Sequence, residues 1–568
     1  MKEGTAHRIS VALGRQPADL LLTNAKVINT FTGEIEQTNV SIAGDRIAGL
    51  GDYEQASEVV DLEGRYLAPG FIDGHVHLES SLLHPAQYAR AIVPHGVTAI
   101  VTDLHEIANV AGFAGIRFIM NWIRRVPLEL FLMVPSCVPA TDLETAGDRL
   151  TAEDVRTALR WKNVIGLGEM MNFPGVLAQD ESVLAKLSIS HDHVVDGHAP
   201  ALKGKELNAY ISAGIYSDHE CVTYEEALEK MRRGMHIMIR EGSSERNLES
   251  LLPLINDYTY QRCFFVVDDR NCAHLVRDGD IDAVVRKAVR LGLAPVRAIQ
   301  LATINPARYF CLQSMGAVSP GYYADMIVLN DLASLKVDMV FHRGKLVARD
   351  GQPLFYPPSS DKGLSHTMHI KPFEISALRI PASRRYDPII EVVPGQIITK
   401  KVSEKVKLNG DQVVPDLERD ILKLVVVERH RATGNIGRGL VKGFGLRRGA
   451  LASSLAHDSH NIVAVGTNDS DIYAAVKEVE RLGGGMVIAN QGKVLSSLPL
   501  PIAGLLSDLP LEVVTAKLEY LGKTVREMGT KLASPFSTLS FLALPVIPEL
   551  RLTDHGLVEV TTRKIYDT

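Results

Sequence analysis

The stretch "PGFIDGHVHLESS", residues 69–81, sets His75 and His77 two positions apart at the end of an apolar run. Side chains at i and i+2 of an extended segment project to the same side, so both imidazoles can hold one metal ion. Spacing alone is a weak signal. With nineteen histidines in 568 residues, roughly 0.6 such pairs arise by chance. A second pair, His191 and His193 in "ISHDHVVDGHAP", stands at the start of an apolar run and is read as a non-ligand pair. What sets His75 and His77 apart is the company at the ends of later runs: Asp103, His105 and Glu106, then Glu169, His198, His219 and Glu220, Glu241, and finally Asp268 and Asp269. The expected ligands are His75, His77, Glu169, His198, His219 and Asp268. Four imidazoles with two carboxylates suit a pair of divalent first-row ions, Mn²⁺ or Fe²⁺ first and Zn²⁺ also. A water between two such ions ionises near neutral pH, so the chemistry is hydrolytic and Asp268 is the expected proton acceptor. Glu241 and Asp269, at the same strand ends, are expected to contact the substrate.

Residues at the exits of successive apolar runs need a scaffold that gathers strand ends. Eight runs are present: "GFIDGHVH", "VTAIVTDLHE", "LELFLMVPSC", "NVIGLGE", "HVVDGHA", "AGIYSDHE", "MHIMIREGS" and "CFFVVDD". Only the third lacks an ionisable group at its end, which carries Ser136 and Cys137. Unbroken Val, Ile, Leu and Phe suit parallel strands buried on both faces. Segments such as "AEDVRTALRWK" and "TYEEALEKMRRG" read as the helices between them. The expected fold class is α/β, with a (β/α)8 barrel over 69–304, whose reactive residues gather where strands end. Alternating short runs at 19–62 and 316–350 predict a small β-sandwich domain built from both flanks, 1–68 and 305–365. Past about 370 strands and helices mix again, predicting a separate C-terminal α/β or α+β domain over 370–568.

Composition narrows the partners. A net charge of −6 and a pI near 6.4 give no footprint for nucleic acid or an anionic membrane, which leaves a small molecule as substrate. Five scattered cysteines without a CxxC pair exclude a disulfide framework or a cysteine zinc site. No signal-peptide pattern and no apolar run long enough to span a membrane stand in the sequence, so the expected setting is cytoplasmic. "GGGMVIANQGK" lacks the spacing of a phosphate loop and reads as a turn. "LAHDSHN", with His457, Asp458 and His460, reads first as a polar loop and second as a lid over the barrel mouth or a site for a further ion.

"PGFIDGHVH" and the re-entry "TINPARYF" to "GAVSPGYYADMIVL" resemble the metal-dependent amidohydrolase superfamily. Within it, "HVHLESS", "TDLHEIANV", "GLGEMMNFPGV", "DGHAP", "SDHE" and "DDR", in that order, resemble the adenine deaminase family over nearly the whole chain. "GFGLRRGALASSLAHDSHNIVAVGTND" resembles that family's own extra domain. Glu169 discriminates: dihydroorotase- and hydantoinase-like members usually place a carbamylated lysine on the fourth strand, and Lys162 here stands before it. The resemblance implies hydrolysis of adenine at C6 to hypoxanthine and ammonia, with Asp268 as base. Asp103, His105 and Glu106 would then sit beside the purine, and the chain would form a homo-oligomer, a dimer or larger. Leu104 and Asn271 depart from the family pattern, which touches substrate preference and not the metal ligands. Two other readings stay open: another amidohydrolase acting on a cyclic amide or a different aminopurine, and a barrel serving as a scaffold without catalysis.

Overall fold

The structure is a computed structural model that describes residues 2–356, 363–382 and 388–566. Parts of the expected domains, namely residue 1, 357–362, 383–387 and the last two residues, lie outside them. The first flank supplies β1 (Ala18–Ile28), β2 (Ile35–Ala43), β3 (Arg46–Gly51), β4 (Ala56–Asp61) and β5 (Tyr66–Pro69). After these come eight strands: β6 (Phe71–Asp73), β7 (Val97–Thr102), β8 (Glu129–Val134), β9 (Val164–Met170), β10 (Val194–Gly197), β11 (Ser217–Asp218), β12 (His236–Arg240) and β13 (Cys263–Val266). The second flank adds β14 (Met326–Leu329), β15 (Val337–His342), β16 (Lys345–Arg349) and β17 (Gln352–Pro353).

Strands from both flanks form one hydrogen-bonded sheet of nine strands in the order β17-β16-β15-β14-β5-β1-β2-β3, with β4 also on β1. β5 makes it continuous across the two flanks. It pairs in parallel with β1 and antiparallel with β14, so the flanks share a strand boundary. Only Gly70 separates β5 from β6. A Cβ at Gly70 would lie 2.3 Å from Thr98 Oγ1, which is why the chain can pass so close to β7 only as glycine.

The eight middle strands run parallel, β6 to β10 in one sheet and β11 to β13 in another. Every residue of β7 and β13 is buried, as strands covered on both faces require. Just past β6, Val76 bridges in parallel to Asp268, past the end of β13, with Asp268 N donating to His75 O (3.0 Å) and His77 N to Asp268 O (3.2 Å). Between β10 and β11, Gly197 N donates to Ser217 Oγ at 3.1 Å. Helices such as Ile281–Arg290, with Ile281, Val284, Val285 and Ala288 buried at helical spacing, cover the strands.

The C-terminal region has an eight-stranded sheet between Pro388 and Pro499, crossed by helix Asp469–Leu482. Its Asn468 cap accepts from Asp471 N, and Gly483 closes it in the left-handed conformation (φ 74°) that glycine permits. A three-stranded sheet at Leu550–Tyr566 follows. This region rests on the loops beyond the parallel strands: Thr553 Oγ1 donates to Leu143 O (2.7 Å), Asn461 Nδ2 to Thr145 O (2.9 Å), and Ser507 bridges to Leu83. Among the described residues no helix is long and apolar enough to cross a membrane.

Candidate metal centre

Nearly all the expected residues converge beyond the C-terminal ends of the parallel strands. Glu169, the penultimate residue of β9, lies at the middle of the group. Its Oε1 faces His77 Nε2 (3.3 Å), His105 Nδ1 (3.7 Å) and His75 Nε2 (3.9 Å), while its Oε2 faces His198 Nδ1 (2.7 Å) and His219 Nε2 (3.3 Å). One carboxylate thus divides the imidazoles into two sets. On the first side Asp268 Oδ1 lies 3.1 Å from His77 Nε2 and 3.5 Å from His75 Nε2. On the second, Glu220 Oε1 lies 3.3 Å from His219 Nε2 and 3.7 Å from His198 Nδ1.

Local structure explains the convergence. Tyr210 Oη donates to Met170 O (2.9 Å) and accepts from His198 N (3.0 Å), clamping the ends of β9 and β10. Asp218 accepts from Ala199 N (2.8 Å) and from the buried Lys230 Nζ (3.0 Å), which ties the residue after His198 to the residue before His219. Ser136, at the strand end without an ionisable group, donates its hydroxyl to Glu169 O. A Cβ at Gly168 would stand 2.6 Å from Asp103 Cβ, so glycine there lets Asp103 pack against β9. Asp103 Oδ1 in turn accepts from His105 N (3.3 Å) and faces His105 Nδ1 (2.9 Å) and His77 Nδ1 (3.4 Å). The buried Leu104 between them has φ 54°, and Asp268 has φ 58°. Such left-handed backbone at non-glycine residues costs about 1–3 kcal/mol each and concentrates at functional sites.

The donor set suits divalent metal. Ligands about 2.0–2.2 Å from one ion stand about 3.0–3.5 Å from each other, which is the spacing of several contacts above and longer than a charge-assisted hydrogen bond. His75 Nε2 is buried with no hydrogen-bond partner among the described residues. Of the four buried carboxylates Asp103, Glu169, Glu220 and Asp268, only Glu220 and Asp268 pair with a guanidinium, that of Arg240, while Asp103 and Glu169 face imidazoles alone. Buried carboxylates need a positive partner, which either protonated imidazoles or metal cations held by the neutral imidazoles supply. Burial works to raise the carboxyls, but the imidazoles of His219, His198 and His77 hold Glu169 well below the usual carboxylate range. Burial is likewise outweighed at Asp268, by His75, His77 and Arg240.

Three features depart from the sequence expectations. Glu241 does not join the group: its carboxylate pairs with Lys287 (2.5 Å) and accepts from Leu248 N (3.2 Å). The preceding residue does, because neighbours on a strand face opposite sides. Arg240 grips Glu220 with both nitrogens (2.5 and 3.1 Å) and Asp268 Oδ2 with one (2.9 Å). The third concerns the histidine loop, which lies over the strand ends: His457 Nδ1 is 2.6 Å from Glu106 Oε1, and His460 Nε2 contacts Glu106 Oε2. Burial is opposed there too, by His457 and His460, which keep Glu106 well below its ordinary value. By contrast His191 and His193 are exposed, away from the centre. Asp269, placed next to the group, receives the Ser80 hydroxyl. Asn271 caps helix Cys272–Asp278 by accepting from His274 N (3.1 Å).

Two cavities with shared lining residues lie at the centre. A small one of about 50 Å³ touches His77, His105, Glu169, Arg240 and Asp268 under an apolar rim that includes Phe541 and Ile547. A larger one of about 520 Å³ runs outward between the strand-end loops and the C-terminal region, and Glu106, Asp269, His457 and Phe541 border both.

Comparison with known proteins accounts for this combination of a metal-type donor set and a C-terminal roof. Residues 66–347 match the Amidohydrolase family and residues 396–564 the Adenine deaminase C-terminal domain. A protein named adenine deaminase from Dehalococcoides mccartyi (strain ATCC BAA-2266 / KCTC 15142 / 195) is 59% identical over 566 residues, covering 100% of this chain and 99% of its own. The chain belongs to the adenine deaminase family. Other relatives also span nearly the whole chain: adenine deaminase 2 of Carboxydothermus hydrogenoformans is 50% identical over 98% of this chain and 97% of its own, and adenine deaminase of Halalkalibacterium halodurans is 44% identical over 100% and 98%. The family's C-terminal domain is therefore the part of the chain that carries His457 and His460 onto Glu106.

Proposed function

We propose that this chain hydrolyses adenine to hypoxanthine and ammonia with divalent metal that His75, His77, Glu169, His198, His219 and Asp268 would hold. Full-length identity to proteins named adenine deaminase supports the substrate. The observation that carries the site is Glu169, whose two oxygens face separate sets of imidazoles. Nitrogen and oxygen donors without thiolate favour Mn²⁺ or Fe²⁺, with Zn²⁺ also accommodated. Bound there, such ions would supply the acidity that makes a water nucleophilic near neutral pH.

The chain's own residues do the rest. Asp268 accepts the proton of the attacking water and returns it to the departing N6, so that ammonia leaves and the oxygen stays on C6. Arg240, donating to Asp268 Oδ2, keeps that carboxylate turned so that Oδ1 faces the imidazoles. Asp103 orients His77 and His105. His105 and Glu106 border the small cavity, where they reach the purine ring, and Phe541, Leu544 and Ile547 exclude water from above it.

The eight parallel strands are read as a closed (β/α)8 barrel, a reading supported by the Val76–Asp268 bridge between the segments that follow their first and last members. Separate sheets support the division into a flank-built β domain, a barrel and a C-terminal domain. A cytoplasmic setting is supported by five unpaired cysteines. The deciding experiment is turnover of adenine by the Mn²⁺-loaded protein, following ammonia release and hypoxanthine absorbance together. A protein carrying about two ions per chain that leaves adenine intact would sink the proposal.

A further inference from the structure

Glu106 stands in the first turn of helix His105–Ile123 yet is held from the far end of the chain. Each of its oxygens carries an imidazole, His457 Nδ1 on Oε1 (2.6 Å) and His460 Nε2 on Oε2. The two histidines flank a short loop between the strands Ala450–Ser453 and Ile462–Gly466, and that loop is rigidly built. Arg429, fully buried, donates Nε to His460 O and another nitrogen to Ala503 O (3.0 Å). His430 Nε2 lies 2.7 Å from Ser459 O, and Asn461 Nδ2 reaches across to Thr145 O (2.9 Å). The His457 ring stacks on Phe541 with centroids 4.6 Å apart and planes at 16°. The His457 ring is held by its stacking on Phe541 and the His460 backbone by Arg429, so the two imidazoles stand on either oxygen of the carboxylate from a supported loop. Glu106 borders both cavities, together with Asp269, His457 and Phe541.

We infer that His457 and His460 are positioning residues for Glu106: the C-terminal domain completes the reactive site by setting the carboxylate where it hydrogen-bonds the purine ring. This rests on the adenine reading above. His460, 1% exposed, borders the larger cavity alone and stands away from the small one over the metal centre, whereas His457 borders both.

The test is a double-mutant cycle on full-length Mn²⁺-loaded protein with adenine as substrate, comparing the unaltered chain, Glu106→Gln, His460→Gln and the double variant, each with its metal content measured. His460→Gln is expected to lower kcat roughly 10- to 100-fold, the range for a residue that supports a functional group, with KM within about twofold and metal content unchanged. The double variant should be no slower than Glu106→Gln alone, because a residue that acts through another has nothing left to act through. Losses that multiply, or an unchanged kcat in His460→Gln, would overturn the inference. So would a third ion per chain that disappears with His460, which would make the cluster an ion site and not a clamp. If His460→Gln fails to fold, His457→Asn enters the same cycle, with the same expectation for the double variant. An unaltered chain inactive on adenine would instead remove the reading on which the clamp rests.

Discussion

Replacing Glu169 by glutamine changes one atom and removes the charge while keeping size and shape. The carboxylate serves two sets of imidazoles at once, through Oε1 towards His77 (3.3 Å) and Oε2 towards His198 and His219 (2.7 and 3.3 Å). A glutamine has one acceptor oxygen to offer, so the side facing its amide nitrogen loses a ligand and faces a donor instead. Removing one partner of a buried charge pair costs about 3–5 kcal/mol, and at 1.4 kcal/mol per factor of ten that weakens one of two ions by roughly two to three and a half powers of ten. An ion held at nanomolar concentration would then be held at micromolar. After dialysis against metal-free buffer, elemental analysis should find about one ion per chain in Glu169→Gln where the unaltered protein keeps two, and ammonia release from adenine should fall in step. Excess Mn²⁺ should restore occupancy before it restores rate. A variant that keeps both ions and full turnover would refute the bridging role.

Arg240→Met leaves Glu220 and Asp268 without their shared cation; a destabilisation of about 3–5 kcal/mol, together with a kcat loss that Arg240→Lys only partly recovers, should appear in thermal melts and initial rates. Glu241→Gln should cost about 1–3 kcal/mol of stability through Lys287 and Leu248 while leaving kcat/KM unchanged; a changed kcat/KM would restore this residue to the substrate site. Asp282 tests pH dependence away from the metal centre. Burial would raise its carboxyl, but His95 and the Arg286 guanidinium bring it down to about 2. Because the folded value lies below the unfolded one of about 3.9, its stabilisation is present above pH 4 and is lost as pH falls from about 4 to 2. Circular dichroism should show Asp282→Asn about 2–3 kcal/mol less stable at pH 6 and lacking that slope. Equal stability of the two proteins at pH 6 would refute it.

What the sequence revealed follows from how local each feature is. Parallel strands buried on both faces leave unbroken apolar runs, so β6 to β13 all stand where those runs do. Ionisable side chains at their exits, Glu169 and Asp268 among them, are legible because a charge ending an apolar run needs a reason. Arg240 was hidden by the same rule, since a single charge closing "MHIMIR" reads as the edge of the run and the next residue, Glu241, looked like the functional one. Strand alternation puts those neighbours on opposite faces, and only the register of β12 against β13 decides which faces inward. His457 and His460 were obscure for a different reason. Their partner Glu106 lies far away in the chain, and no periodicity connects a loop of one sheet to a helix start beside another. The shared sheet of the two flanks was legible in texture but not in connection, because β5 pairs with both β1 and β14.

The single residue between β5 and β6 has a mechanical consequence. A strand hydrogen-bonded into the nine-stranded sheet becomes, after Gly70 alone, the strand that leads to His75 and His77. There is no slack in that joint, and the clearance at Gly70 forbids even a methyl group. The outer sheet therefore works as an anchor plate for the first two metal-directed imidazoles, so any strain that tilts it is delivered to them undamped. Substitutions in the core of that sheet, remote from all chemistry, should register as altered metal retention before they register as unfolding.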